Sequence, residues 1–186
     1  MNKIKNSLII VANPNESSFS FAIANKYKEV VLENHNKVEL VDLYKDKQQS
    51  FFPYNDSHEV KTTDEVKYYQ EKISKADELI FVFPYWWGGM PAILKNFFDW
   101  NLSSGYAFKY ENSRPVGLLK GKTVKVFTTT GYPKWYYTLN GANGRLKKMF
   151  KNNIIEFCGM KLEEFNIFGG VDTSSKNMSK ILEKIK

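Results

Sequence analysis

The chain has 186 residues, 42% of them hydrophobic and 25% charged, with 11 Gly and 6 Pro. That is the balance of one ordinary domain over residues 1–186 with its own core, and it excludes collagen, a repeat array or a long disordered tail. The single cysteine, Cys158, excludes an internal disulfide or a cysteine-based zinc site, and no apolar run is long enough to cross a membrane.

The formal charge is +7. The lysines are scattered, and the densest cluster, Arg145, Lys147, Lys148 and Lys151, comes without an RNP, zinc-finger or glycine-clamp pattern. It reads as solvated surface or as a rim that steers anions, and no nucleic-acid partner is expected. The basic start at Met1 to Lys5 is followed by an apolar stretch that stops at Asn13-Pro14, too short for a secretion signal, so a cytoplasmic location is expected.

Two periodicities alternate along the chain. Ser7 to Ala12 is a short apolar run that suits a buried strand, and Ile23, Tyr27, Val30 and Val31 recur at helical spacing from Ser20 to Asn34. A second strand is expected at Val38–Asp42. Residues 43–62 are irregular, with a Phe51 to Tyr54 cluster, and Val66, Tyr69, Ile73 and Ala76 mark the next helix. Glu78–Phe83 is the third and most apolar strand. Pro91 opens a helix striped by Met90, Ile93, Leu94, Phe97 and Phe98. Residues 101–120 form an excursion, and Lys122–Thr129 is the fourth strand. A helix is expected from Asn140 to Cys158, broken near Lys151 to Asn153. Lys161–Phe168 is the fifth strand, and Met178, Ile181, Leu182 and Ile185 stripe a closing helix. Apolar strands joined through helices predict an α/β, doubly wound parallel sheet of order 2-1-3-4-5 with helices on both faces.

In such a sheet ligands bind beyond the carboxyl ends of the strands, where the order reverses between strands one and three. The first loop, Asn13 to Ser20, contains no glycine fingerprint, but its hydroxyls stand at a helix entrance. There they either cap backbone N–H groups or join them in holding a phosphate. The third loop, Pro84-Tyr85-Trp86-Trp87-Gly88-Gly89, sets three aromatics beside two glycines. It is either a packing corner or a wall for a flat ligand. The fourth, Thr128-Thr129-Thr130-Gly131, leads to Trp135, Tyr136 and Tyr137 and offers donors to a heteroaromatic edge. A phosphate-bearing flat ring fits all three, and a flavin mononucleotide moiety is the simplest.

The stretch Phe83-Pro-Tyr-Trp-Trp-Gly-Gly-Met-Pro-Ala-Ile-Leu-Lys-Asn-Phe-Phe-Asp99 resembles the signature of the NAD(P)H:quinone oxidoreductase family, whose fold is flavodoxin-like. The likeness continues through Ser17 to Ser20, Asp42 to Tyr44, Gly105 to Phe108, Thr129 to Gly131 and Phe157 to Gly159. It implies a homodimer with flavin at the subunit interface and ping-pong hydride transfer from NAD(P)H to a quinone. It implies further that Ser18, Phe19 and Ser20 hold the flavin phosphates, with Asn13, also at the cofactor, standing where the family has a histidine. Pro84, Tyr85, Trp86, Trp87 and Gly88 would line the ring, and Thr129, Thr130 and Gly131 would meet its polar edge. Tyr137 occupies the place of a catalytic tyrosine. Asn143 stands where mammalian members have a histidine, and an amide does not exchange a proton near neutral pH as imidazole does. Neither His35 nor His58 has a claim on catalysis, and no metal is expected. Compact bacterial members hold FAD or FMN, and the choice between them stays open here, leaning to FAD. Rival expectations are a regulatory flavoprotein subunit of a potassium efflux system and a flavodoxin-type electron carrier, which is ordinarily acidic. A nitro or azo reductase would use the same ring and pocket.

Overall fold

A computed structural model describes residues 4–47, 49–53, 62–171 and 175–185. Met1, Tyr54 and His58 lie outside the described residues. Five parallel strands form the central sheet: β1 (Asn6–Val11), β2 (Lys37–Asp42), β3 (Glu78–Pro84), β6 (Thr123–Thr130) and β7 (Lys161–Gly169), ordered β2-β1-β3-β6-β7. Counting only these strands, that is the predicted 2-1-3-4-5.

Strand alternation builds two cores. Leu8 and Ile10 of β1 with Leu79, Phe81 and Phe83 of β3 face one side, where α2 (Asp64–Lys75) and α3 (Ala92–Asn101) cover them with Ile73, Leu94 and Phe97. Ile9, Val11, Ile80 and Val82 face the other side, under Ile23, Ala24 and Tyr27 of α1 (Phe19–Glu33). A right-handed crossover leftward to β2 and another rightward to β3 must lie on opposite faces, so both faces of β3 are covered and all seven of its residues are buried. The last helix, α6 (Ser175–Leu182), packs beside α1, with Leu182 and Ile185 reaching that second core.

A polar network sits at the amino edge. Glu78, 6% exposed, accepts from Ser7 Oγ at 2.9 Å and Tyr27 OH at 3.0 Å, and pairs with Lys125 at 3.4 Å. The register of β6 on β7 shifts between Val124 and Lys125, beside this pair.

Three segments differ from the sequence expectation. The excursion contains an antiparallel hairpin, β4 (Phe108–Glu111) with β5 (Arg114–Gly117). Asn112 and Ser113, at φ 48° and 60°, make its two-residue turn of the left-handed kind that matches strand twist. A short helix, α4 (Lys134–Leu139), occupies part of the aromatic loop. The expected break at Lys151 to Asn153 is a widening instead: α5 (Ala142–Lys148) runs on into a π-helical turn, Met149–Ile155, where Glu156 N–H donates to the carbonyl of Lys151, five residues back. Residues 49–52 are pinned to α3 by Asn96, which donates to the Gln49 and Ser50 carbonyls and accepts from Phe52 N–H.

Candidate active site

The carboxyl ends of β1, β3 and β6 are neighbours, so the loops that follow them meet. They enclose a cavity of about 400 Å³. Asn13, Asn15, Ser17, Ser18 and Phe19 line one side, Pro84, Tyr85 and Trp86 another, and Thr129, Thr130 and Gly131 a third. Val171 and Met178 complete it from beyond β7.

The first loop is shaped by its own side chains. Asn13 Oδ1 accepts from Asn15 N–H and Asn15 Oδ1 accepts from Ser17 N–H, both at 2.9 Å, which folds the chain into two successive Asx turns. The Asn13 amide donates to Ser20 Oγ at 3.3 Å, and that hydroxyl lies 3.4 Å from Thr129 Oγ1. Ser20 is wholly buried and does not line the cavity. Ser18 is the N-cap of the fifteen-residue α1, yet its side chain makes no cap bond, and its Oγ is buried without a partner. An uncapped helix N-terminus with a spare hydroxyl beside a cavity has the donors an anion requires.

The third loop reverses in two residues. Trp86 N–H donates to the Gly89 carbonyl at 3.1 Å and Gly89 N–H returns to Trp86 at 2.9 Å. Trp87 and Gly88 between them have φ 49° and 82°. Glycine takes that conformation freely; for a tryptophan it costs on the order of 1 kcal/mol. The turn sends Trp87 fully into solvent and leaves Trp86 partly exposed, while Tyr85 lies half-buried on the cavity wall. Tyr85 N–H donates to the Thr129 carbonyl at 2.8 Å, fastening this loop to β6.

On the fourth loop, Tyr137 of α4 meets Tyr85 edge to face at 5.1 Å. Burial and then Tyr137 push the Tyr85 hydroxyl above the usual phenol range, against the opposing effect of the Arg145 guanidinium. Asn143 donates to Thr138 Oγ1 at 2.8 Å and to the Lys134 carbonyl at 3.4 Å, so it clasps α5 to α4, and its Oδ1 is buried without a partner. Trp87, Gly88, Tyr137 and Asn143 do not line the cavity; Tyr137 touches its wall through Tyr85. His35, at φ 56°, follows the end of α1 at the opposite edge of the sheet. Sequence reasoning missed Asn15, Val171 and Met178 as lining residues, and it left Ser17 unassigned although it stood in the hydroxyl loop. The signal for Val171 and Met178 was the fifth strand's own carboxyl end. Among the described residues no group of three or more His, Cys, Asp or Glu gathers as a metal site, and no helix is long and apolar enough to cross a membrane.

Residues 5–186 match the family described as having a flavodoxin-like fold. A Haemophilus influenzae protein named as an uncharacterized NAD(P)H oxidoreductase is 36% identical over 173 residues, covering 89% of this chain and 84% of that one. An FMN-dependent NADH:quinone oxidoreductase of Caldicellulosiruptor bescii is 32% identical over 165 residues, covering 83% and 81%. The solved structure of Smu.1420 from Streptococcus mutans superposes with a TM-score of 0.81 at 29% identity, covering 97% of this chain and 96% of that one. The chain therefore belongs to the flavodoxin-like family of NAD(P)H:quinone oxidoreductases. Its cofactor class is a flavin; the FAD expectation finds no support in these relatives, one of which is named for FMN.

Proposed function

We propose that the three loops hold FMN and that the chain uses it for the reaction of its family, hydride transfer from NAD(P)H to a quinone or a similarly flat electrophile. The observation that carries this reading is Ser18: a buried hydroxyl without a partner, at an uncapped helix start, in the same cavity as Tyr85, Trp86 and the Thr129 to Gly131 edge. The residues fit the group. Ser17, Ser18 and the first turn of α1 would hold the phosphate, Tyr85 and Trp86 would face the ring, and Thr129 to Gly131 would meet its polar edge. A volume of about 400 Å³ is at the lower end of the range for small-molecule sites, which supports a mononucleotide.

When bound, the flavin supplies the acceptance and release of hydride; the chain supplies orientation and a partly dry wall. Tyr137 packs edge to face on Tyr85 of the cavity wall, and its phenol would donate toward the ring edge. Asn143, held by Thr138 and Lys134, positions α4 and hence Tyr137. The homodimer belongs to the same proposal, as does the single domain.

The protein reconstituted with FMN is expected to oxidise NADH or NADPH with menadione well above a free-FMN control. A rate equal to that control overturns the reading, and mass analysis of cofactor released from purified protein decides FMN against FAD. Tyr137→Phe should lower turnover more than FMN affinity; equal losses would make the ring structural. Light scattering tests the dimer.

A further inference from the structure

The α4–α5 corner bears a surface that the cavity does not explain. α4 buries none of its six residues: Trp135 is 63% exposed, Leu139 79%, and Tyr132 just before it 65%. The rings form an unbroken ladder inward. Tyr132 and Trp135 stand 5.6 and 6.3 Å from Tyr136, Tyr136 is 5.5 Å from Tyr137, and Tyr137 is 5.1 Å from Tyr85 on the cavity wall. Apolar side chains gathered on a surface in this way mark a contact with something other than water.

The charge around them is one-sided. Between Glu111 and Glu156 the sequence has no acidic residue and nine lysines and arginines, more than the whole net charge of +7. Lys122 is engaged with the Ser74 and Ala76 carbonyls, Lys125 with Glu78 and Lys151 with Glu156. Lys134, Arg145, Lys147 and Lys148, on α4 and α5, are exposed and have no carboxylate within ion-pair range among the described residues, Arg145 giving one of its N–H groups to the Asn140 carbonyl.

We propose that this corner docks the protein on a membrane surface of anionic lipid, with Tyr132, Trp135 and Leu139 in the headgroup zone and the four cations on lipid phosphates and carboxylates. Tyrosine and tryptophan favour that zone because one end of each ring is apolar and the other polar, and each added cation strengthens attraction to the charged surface. A second copy of the chain fits poorly, since a two-fold contact through this patch sets the same cations against one another, and α4 and α5 carry no acid to pair them. Nucleic acid would use the cations and the rings but offers nothing to a leucine that is four-fifths exposed. The ladder then gives an apolar acceptor dissolved in the bilayer a path to Tyr85. That last step rests on the quinone reading above; the docking does not.

The test uses the FMN-loaded protein, sedimented with vesicles of phosphatidylcholine alone or with about 30% phosphatidylserine. Co-sedimentation is expected with the anionic vesicles only, weakened about tenfold by Lys147→Glu with Lys148→Glu, by Trp135→Ser with Leu139→Ser, and by salt near ~0.5 M. Brominated lipid should quench wild-type fluorescence more than that of Trp135→Phe. Absence of vesicle binding overturns the proposal, and so does binding that both variant pairs leave intact in folded protein. A dimer that Leu139→Ser dissociates would make the patch a subunit contact, and oligonucleotide binding without vesicle binding would make it a nucleic-acid surface; either overturns it. Turnover of a water-soluble quinone should be unchanged in Lys147→Glu with Lys148→Glu. If wild type fails that assay the quinone reading falls, while vesicle binding still decides the docking.

Discussion

The hydroxyl of Ser20, wholly buried, lies 3.4 Å from that of Thr129. With the Asn13 amide 3.3 Å away on Ser20, this contact ties the end of β1, the first turn of α1 and the end of β6 beneath one cavity floor. Ser20→Ala and Thr129→Val should each cost about 1 kcal/mol in urea unfolding, the ordinary net value of one buried hydrogen bond. The double variant should cost clearly less than the two losses added, because both remove the same contact. Strict additivity would show that the hydroxyls do not support one another.

Ser18 is expected to behave in the opposite way. Its Oγ has no partner to lose, so Ser18→Ala should leave stability within about 0.5 kcal/mol of wild type. FMN affinity, read by fluorescence titration of the apoprotein, should weaken about tenfold if the hydroxyl meets an anionic group. A stability loss with unchanged affinity would assign Ser18 to helix capping alone.

Gly117 and Gly159 meet backbone to backbone. A Cβ on Gly117 would lie 2.1 Å from Gly159 N and 2.3 Å from the Cys158 carbonyl carbon, with no flexible side chain to yield. Gly117→Ala should therefore cost about 3 kcal/mol by prising the β4–β5 hairpin off the turn after the π-helical segment. Denaturant unfolding measures it, and a loss under about 0.5 kcal/mol would mean that the hairpin shifts freely.

Two buried phenols set an alkaline limit. Burial, then Glu78, hold Tyr27 well above the usual phenol range, and burial, then Asp46, do the same for Tyr69. The folded state keeps these protons where the unfolded chain releases them, from about pH 10 upward. Their contribution is complete below that pH and is lost as the pH climbs past it. Stability should fall steeply above about pH 10, with phenolate absorbance appearing together with unfolding, and Tyr27→Phe should flatten part of the slope. Ionisation of all tyrosines before unfolding would contradict this.

Cys158 should be inert in the folded protein. Burial alone pushes its thiol up to about 11, so thiol reagents near the ordinary titration point of about 8.5 should label it only after denaturant is added. Rapid labelling of native protein would show that the π-helical end of α5 opens readily.

Long, strongly patterned elements are legible in the sequence. β3 is apolar at nearly every position because both of its faces are covered, and α3 shows its stripe from Ile93 to Phe98. The hairpin was not legible: Pro115 argues against a strand, and its turn uses Asn112 and Ser113 with no glycine. α4 was hidden for another reason. None of its six residues is buried, so no core-facing stripe marks it in the sequence, and it is held from outside by Asn143 and by Gly169, where a Cβ would lie 2.3 Å from Lys134 N.

By itself the sequence determined the alternation of strands and helices, hence the sheet and the edge where the cavity lies, and it marked three unusual loops at that edge. These are short-range properties, set by periodicity and by residue types a few positions apart. Depth was decided only by the tertiary structure. Ser18 and Ser20 are the same residue type two places apart, but two steps of a helix turn a side chain by about 200°. One hydroxyl faces the cavity region without a partner and the other is tied into the floor with Thr129. Tyr85 and Trp87 divide in the same manner across a two-residue reversal, one lining the wall and one standing in water. Which member of each pair meets a ligand depends on contacts with residues up to 109 positions away, and no local pattern encodes them.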